Sequence, residues 1–220
     1  MDAHFAPIAE RVKEFLGSDS TGHDFYHAER VFNNAMLLHA KEQRGDRDVI
    51  GIAAWVHDIC RPWEKKTGKS HFGYEALEII REVLESAGIA QDKIPAILDI
   101  VSLHDIYDWT AKIEKTIELQ IVQDADNLEA LGAIGIARTF AFGGSANRPL
   151  YIPNENLEFE NDFVDNPTDL GSSTIAHFYD KLLKLSQHMN TSSGKEVAAG
   201  RNAFMETFLA QFFAEWAGEK

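Results

Sequence analysis

The sequence predicts an all-α fold, and two observations carry that prediction. Apolar residues recur at intervals of three and four, as Ile8, Val12 and Phe15 do, and no segment shows a convincing strand-like alternation. Glycines stand just beyond the periodic segments, for example at Gly17 and Gly45, where helices commonly end. With 45% hydrophobic residues in a chain of 220, the composition is that of a globular protein.

The first half of the chain divides into five predicted helices. The third is apolar almost all round, so we expect it to be a central buried helix. Pro62 should end it, and residues Trp63 to Lys69 are polar enough to predict a loop. The predicted ranges are about 8–16, 24–42, 48–60, 70–87 and 94–104.

The second half predicts a long helix from about Ile113 to Phe140, and two closing helices. Between them, residues Gly143 to Gly171 are rich in Asn, Pro, Asp and Gly, and a loop of this length is often a lid or a binding loop. The closing helices should span about 173–189 and 195–216. We therefore expect residues 1–142 to form a helical core, with 143–220 packing on it as a cap within one continuous domain.

Charge and composition limit the possible partners. The formal net charge of −14 disfavours binding to nucleic-acid polymers and to anionic membranes. No apolar run has membrane-spanning length, and the N-terminus does not resemble a signal peptide. The single cysteine, Cys60, allows no internal disulfide, so a reducing cytoplasm is the expected location. A small phosphorylated substrate remains compatible with the charge, because a metal ion reverses the field locally.

Three His-Asp pairs occur, and their sequence setting distinguishes them. His57-Asp58 ends the apolar segment Ala53-Ala54-Trp55-Val56, where burying a carboxylate is costly unless it is paired or bound to a metal. The alternative is an ordinary helix-end histidine beside a solvated aspartate. Two further residues favour the metal, since His27 and Asp126, with Asp124 as an alternative, lie in other predicted helices. Such a mixed set suits Mn, Fe, Co, Ni, Zn or Mg.

Taken together, these residues resemble the HD superfamily of metal-dependent phosphohydrolases. The resemblance implies a helical bundle with additional C-terminal helices, and it implies one divalent ion held by His27, His57, Asp58 and Asp126. Asp126 is preferred over Asp124 because the family's ligand precedes an x-Leu pair, here Asn127-Leu128. The segment from Ser173 to Lys184 also resembles stand-alone bacterial HD proteins, some of which cleave nucleoside triphosphates to a monophosphate and pyrophosphate.

One departure from the family leaves the general acid or base open. Some HD hydrolases place a carboxylate three or four residues after the His-Asp pair, where this chain has Cys60 and Arg61. The candidates for proton transfer are Glu64, His104 and Asp105, and Asp58 is expected to take part in catalysis as a metal ligand.

Several basic side chains are candidates for binding the substrate. Arg30 follows His27 by three residues and shares its helical face. His71 and His104 resemble extra histidines of two-metal HD phosphodiesterases, so they would touch a phosphate or a second ion. A stripe of His177, Lys181, Lys184 and His188 has helical spacing and would suit a polyphosphate, although a solvated face is the usual place of lysines.

The predicted function is hydrolysis of a phosphoanhydride or phosphoester, in a nucleotide, by metal-activated water. A two-metal phosphodiesterase, for example for cyclic nucleotides, is the alternative enzyme. A metal-containing sensor or regulatory module without turnover is the alternative of another class. The chain is expected to act as a monomer or homodimer.

Overall fold

The computed structural model describes residues 3–17, 22–106, 114–158 and 173–220, and throughout these ranges the regular structure is helical, without a strand. The all-α prediction is confirmed. A short 3-10 turn at Ala3–Phe5 precedes the first helix. The main helices are α1 (Ala6–Phe15), α2 (Phe25–Glu42), α3 (Arg47–Val56), α4 (Arg61–Thr67), α5 (Tyr74–Ser86), α6 (Ile94–Leu103), α7 (Ile117–Glu129), α8 (Gly132–Ser145) and α10 (Ser192–Trp216), with a three-residue α9 (Leu183–Leu185).

The described residues form two compact units. The first comprises 3–17, 22–106 and 114–126, which include α1 to α6 and most of α7. The second comprises 127–158 and 173–220, which include α8 and α10. Among the helices described, none is both long and apolar enough to traverse a membrane.

The core of the first unit is built around α3. Every residue from Val49 to Val56 is buried, as the apolar sequence predicts. Trp55 stacks on Phe25 and Phe32 of α2, with ring centroids 5.5 and 5.2 Å away. Such aromatic packing stabilises the α2–α3 pair beyond the area that it buries. It also fixes the end of α3 near the beginning of α2.

The prediction of a helix to Cys60 followed by a loop was wrong. α3 ends at Val56, a turn covers 57–60, and α4 begins at Arg61. Pro62 lies in the first turn of α4, where its missing N–H costs nothing and its fixed φ suits a helix. The proline therefore marks a helix start as well as an end.

The predicted helix from Ile113 to Phe140 is two helices. α7 ends at Glu129, Leu131 is extended, and α8 begins at Gly132 with φ +70°. A Cβ on Gly132 would lie 3.1 Å from Cγ of Arg201, so the glycine permits both the left-handed backbone and the close approach. Nothing in the apolar periodicity marks this break.

The segment predicted as a helix over 173–189 is irregular. A π-helical turn at Phe178–Leu182 is followed by α9 and by a 3-10 turn at Ser186–His188. The α-helical spacing assumed for the stripe therefore does not hold along its length. α8 continues to Ser145, past the predicted start of the loop at 143, and residues 146–158 are without helix. The rest of that predicted loop, 159–171, lies outside the described residues.

Candidate metal centre

Three elements of the first unit bring the four predicted ligands together. His27 lies in the first turn of α2, which begins because Asp24 caps it by accepting the His27 backbone N–H at 2.9 Å. His57 and Asp58 follow α3 directly, and Asp126 lies in α7. The side chains of His27, His57 and Asp58 are at most 3% exposed, whereas that of Asp126 is 18% exposed and is reached by solvent.

Atoms of the predicted ligands converge on the two imidazole nitrogens, within hydrogen-bond to ion-pair distance of them. Nε2 of His27 lies 3.2 Å from Nε2 of His57. Oδ2 of Asp58 is 3.6 and 3.7 Å from these two nitrogens. Oδ1 of Asp126 is 3.4 and 3.7 Å from the same two nitrogens. One oxygen of each aspartate therefore lies within 3.7 Å of both imidazole nitrogens.

This spacing fits a divalent ion. Four atoms bonded to one metal at about 2.1 Å lie about 3.4 Å apart if tetrahedral and about 3.0 Å apart at right angles. The tautomer of His57 also fits, because its Nδ1–H donates to the Ala54 carbonyl at 2.8 Å and leaves the lone pair on Nε2. Buried acceptors that face one another in this way need a cation or a proton between them.

Asp58 is held by a donor on each oxygen. Nδ1–H of His23 donates to Oδ2 at 2.8 Å, and Nε–H of Arg61 donates to Oδ1 at 2.9 Å. Burial raises the pKa of the Asp58 carboxyl, but Arg61 and the surrounding histidines, His57 foremost, outweigh burial and hold the pKa well below its ordinary value. Asp58 is therefore an anion despite its burial.

The guanidinium of Arg61 joins three carboxylates. Besides Asp58, it donates to Oδ2 of Asp105 at 2.8 Å and to Oε2 of Glu64 at 3.2 Å. Burial lowers the pKa of Arg61, but the three carboxylates more than offset that effect and raise it above its ordinary value. This side of the cluster thus carries a fixed positive charge of the chain itself.

His71 and His104 approach Asp58 from the Arg61 side. Nε2 of His71 lies 3.4 Å and Nε2 of His104 lies 3.8 Å from Oδ1 of Asp58, and neither nitrogen has a hydrogen-bond partner in the described part of the chain. Nδ1–H of His71 donates to Glu64 at 3.1 Å, and Nδ1–H of His104 donates to the Val101 carbonyl at 2.6 Å. Burial, and next Arg61, lower the pKa of His71, whereas Asp58 and Asp105 raise the pKa of His104 in spite of its burial.

The structure brings many of the predicted site residues together. Asp58 and Asp126 both lie beside His27 and His57, and His71, His104 and Asp105 border this set. Asp124 is not the carboxylate beside the histidines. It is fully buried and interacts electrostatically with Lys115 instead.

The other predicted substrate residues are less directly placed. Arg30 is half-buried on α2. His177, Lys181, Lys184 and His188 belong to the second unit and are half-buried, and Nδ1 of His177 lies 2.9 Å from Asp180. Their contact with a substrate remains a prediction.

Two residues of the centre were missed from the sequence. His23 belongs to the first His-Asp pair, whose aspartate proved to be a helix cap, and the useful signal was its position four residues before His27. Arg61 was noted only as a departure from the family pattern. It follows Asp58 by three residues, a spacing typical of an ion pair within one turn.

Comparison with known proteins identifies the family. The sequence-family model for the HD domain matches residues 24–131, a range that includes His27, His57, Asp58 and Asp126. The chain belongs to the HD domain family. The HD resemblance inferred from the motifs is therefore confirmed, and it supports a metal-dependent hydrolase as the general kind of activity.

Three similar proteins span nearly the whole chain. A Lactobacillus plantarum structure shares 29% identity with a TM-score of 0.78 and covers 99% of each chain. An HD-superfamily hydrolase from Bacillus thuringiensis shares 34% identity with a TM-score of 0.73 and covers 97% of each chain. The uncharacterized protein YpgQ of Bacillus subtilis is 31% identical over 91% of this chain and 87% of its own length. Its structure in complex with ADP aligns at 28% identity with a TM-score of 0.69, over 94% of this chain and 97% of that one.

Proposed function

We propose that this protein is a metal-dependent phosphohydrolase that cleaves a phosphoanhydride or phosphoester bond of a nucleotide. The observation that carries the proposal is the convergence of two carboxylate oxygens on a pair of imidazole nitrogens: the nitrogens are 3.2 Å apart, and each oxygen lies 3.4 to 3.7 Å from both of them. His27, His57, Asp58 and Asp126 would hold one divalent ion. When bound, such an ion lowers the pKa of a water molecule and polarises a phosphoryl oxygen.

The surrounding side chains would orient the reactants and handle protons. Asp126, with 18% of its side chain exposed, is the one of the four that solvent reaches most, and water and phosphate would enter beside it. His104 and Asp105 are the candidates for proton transfer, because both lie beside Asp58 and its partner Arg61. Glu64 is a weaker candidate, since both of its oxygens are engaged, one by Arg61 and one by His71.

Arg61 favours a centre with one ion over the two-metal alternative. His71, His104 and Asp105 would be needed for a second ion next to Oδ1 of Asp58. The guanidinium of Arg61 already binds that oxygen and Asp105, at 2.9 and 2.8 Å. A resident cation there supplies the charge that a second metal would otherwise bring.

A nucleotide substrate is supported by the similarity to YpgQ, whose structure was determined with ADP. The charge of the centre requires further cations for such a substrate. Its four carboxylates and one guanidinium leave a formal charge of −3, which a divalent ion reduces to −1. We propose that Arg30, His71, His177, Lys181 and Lys184 contact the phosphates, and that Arg30 and the two lysines are the charge-assisted donors.

A substrate screen tests the proposed reaction. The purified protein would be incubated with nucleoside mono-, di- and triphosphates, cyclic nucleotides and generic phosphoesters, each with Mn, Co, Mg or Ni, and the products identified. We expect hydrolysis of a linear nucleotide that disappears on chelation and in His57→Ala. Cleavage confined to cyclic nucleotides would support the phosphodiesterase instead. Metal binding without turnover of any compound would support a sensor.

The predicted role of the second unit in substrate binding has its own test. Lys181→Ala should lower kcat/KM for a nucleotide much more than for a small generic phosphoester, and metal content should not change. Lys195→Ala, which removes an exposed lysine of α10, is the matched control. Equal kinetics for Lys181→Ala and wild type on the nucleotide would exclude the predicted contact and the cap on which it depends.

A further inference from the structure

His23 is placed at the metal centre by the turn that precedes α2. Gly22 adopts φ +88°, a left-handed backbone that favours glycine, and Asp24 then caps the helix. The His23 ring lies edge-on to the His27 ring, with centroids 5.3 Å apart and an interplanar angle of 72°. Local backbone geometry and ring packing therefore both fix the imidazole.

The hydrogen bond of His23 is made to the Asp58 oxygen that faces His27 and His57, where the ion would bind. Its Nδ1–H donates at 2.8 Å to Oδ2 of Asp58, and this same oxygen lies 3.6 and 3.7 Å from Nε2 of His27 and His57. Arg61 donates to the other oxygen at 2.9 Å. With one donor on each oxygen, the carboxylate of Asp58 cannot rotate without breaking a hydrogen bond.

We propose that His23 is a positioning residue of the metal centre, which holds Oδ2 of Asp58 in the orientation that binds the ion. The inference rests on the proposed metal centre and adds a residue to it. Groups that hydrogen-bond to a metal ligand commonly change metal affinity about 10- to 100-fold when they are removed. The affinity for the ion should therefore depend on a side chain that does not itself bind it.

The partial exposure of His23 limits its contribution to folding. Its side chain is 30% exposed, against 1% for His27 and 3% for Asp58. Truncating this part-buried ring leaves little cavity, but it takes one donor from the buried Asp58 carboxylate, so the ion-free protein should lose some stability. The Mn²⁺ affinity of the folded protein should fall in addition to this loss of stability, and the two effects are measured separately.

Replacement of His23 by three different side chains separates a donor from mere bulk. The Mn²⁺ affinity of the full chain would be measured by isothermal titration calorimetry, and thermal melts with a chelator would compare the ion-free proteins. His23→Ala should bind Mn²⁺ about 10- to 100-fold more weakly. His23→Asn should stay within a few-fold of wild type, because its amide nitrogen is as many bonds from the backbone as Nδ1. His23→Gln should resemble the alanine variant, since its amide nitrogen corresponds to Nε2.

His4 provides the matched control. It forms the same kind of pair, Nε2 to Oδ1 of Asp48 at 2.8 Å, but Asp48 lies at the other end of α3, roughly 15 Å along the helix from Asp58. His4→Ala should leave Mn²⁺ affinity unchanged. If the wild type binds no Mn²⁺, the proposed metal centre fails. If the wild type binds but His23→Ala binds equally well, or His23→Asn is as weak as His23→Ala, the positioning role of His23 is overturned.

Discussion

Replacement of Arg61 by methionine should destabilise the ion-free protein substantially. Methionine keeps an unbranched apolar side chain but leaves Asp58, Asp105 and Glu64 without the guanidinium that binds them at 2.9, 2.8 and 3.2 Å. Breaking a buried ion pair costs about 3–5 kcal/mol, because the remaining charge is buried without a partner.

Exposure of the partners sets the expected magnitude. Asp58 is 3% exposed, but Asp105 and Glu64 are 16% and 31% exposed, so water partly replaces the lost guanidinium there. We therefore expect a loss of about 2–4 kcal/mol in the free energy of unfolding. For a chain of this size, that corresponds to a fall in Tm of about 5–15 °C.

Thermal and urea unfolding in the presence of a chelator would measure the effect. Adding Mn²⁺ should narrow the gap between variant and wild type, since an ion that binds the folded state stabilises it and also offsets the carboxylates. Arg61→Lys keeps the charge but not the forked geometry, so its free energy of unfolding should lie between those of wild type and Arg61→Met. Stability of Arg61→Met within about 0.5 kcal/mol of wild type without ion would refute the assigned role of Arg61.

Three further variants test other parts of the structure. Asp126→Asn should retain the fold in circular dichroism but lose Mn²⁺ binding in calorimetry, and undiminished binding would reject Asp126 as a ligand. Gly51→Ala should lower the urea midpoint by the equivalent of about 1–3 kcal/mol, because the added Cβ would meet the buried Phe5 ring at 2.6 Å, and an unchanged midpoint would be contrary to that packing. The hydrogen bond from Lys93 is the main cause of the lowered pKa of the Asp48 carboxyl. The stability that ionised Asp48 contributes is therefore complete above the unfolded-state pKa, about pH 4. It is lost as the pH falls through the lower pKa of the folded state. Lys93→Met should therefore cost less than about 1 kcal/mol at pH 7 and flatten the acid side of the stability profile, whereas an unchanged profile would dismiss the pair.

The sequence predicted the helices whose signals are local. Asp24 at the start of α2, the unbroken apolar run of α3 and Gly88 after α5 are caps, periodicity and breakers that act within a few residues. The failures arose where one local signal has two meanings. Pro62 can end one helix or begin the next, and Gly132 can stand inside a helix or, as here, adopt a left-handed backbone at the start of α8.

At the site too, some residues could be predicted from the sequence and others could not. Family resemblance selected Asp126 over Asp124, and the structure places Asp126 beside the two histidines. The partners of Asp58 could not be derived in this way. His23 reaches Asp58 across 35 residues of sequence, so this contact depends on the packing of α2 against α3. Arg61 lies close in sequence, but its contact with Asp105 requires the end of α6.

The central claim is that His27, His57, Asp58 and Asp126 hold one divalent ion. Anomalous diffraction at the manganese edge, from crystals of the full chain grown with Mn²⁺, tests it most directly. One anomalous peak should lie among these four side chains, within about 2.0–2.3 Å of their facing atoms. A peak elsewhere in the molecule, or no peak at this position in well-diffracting crystals, would contradict the claim.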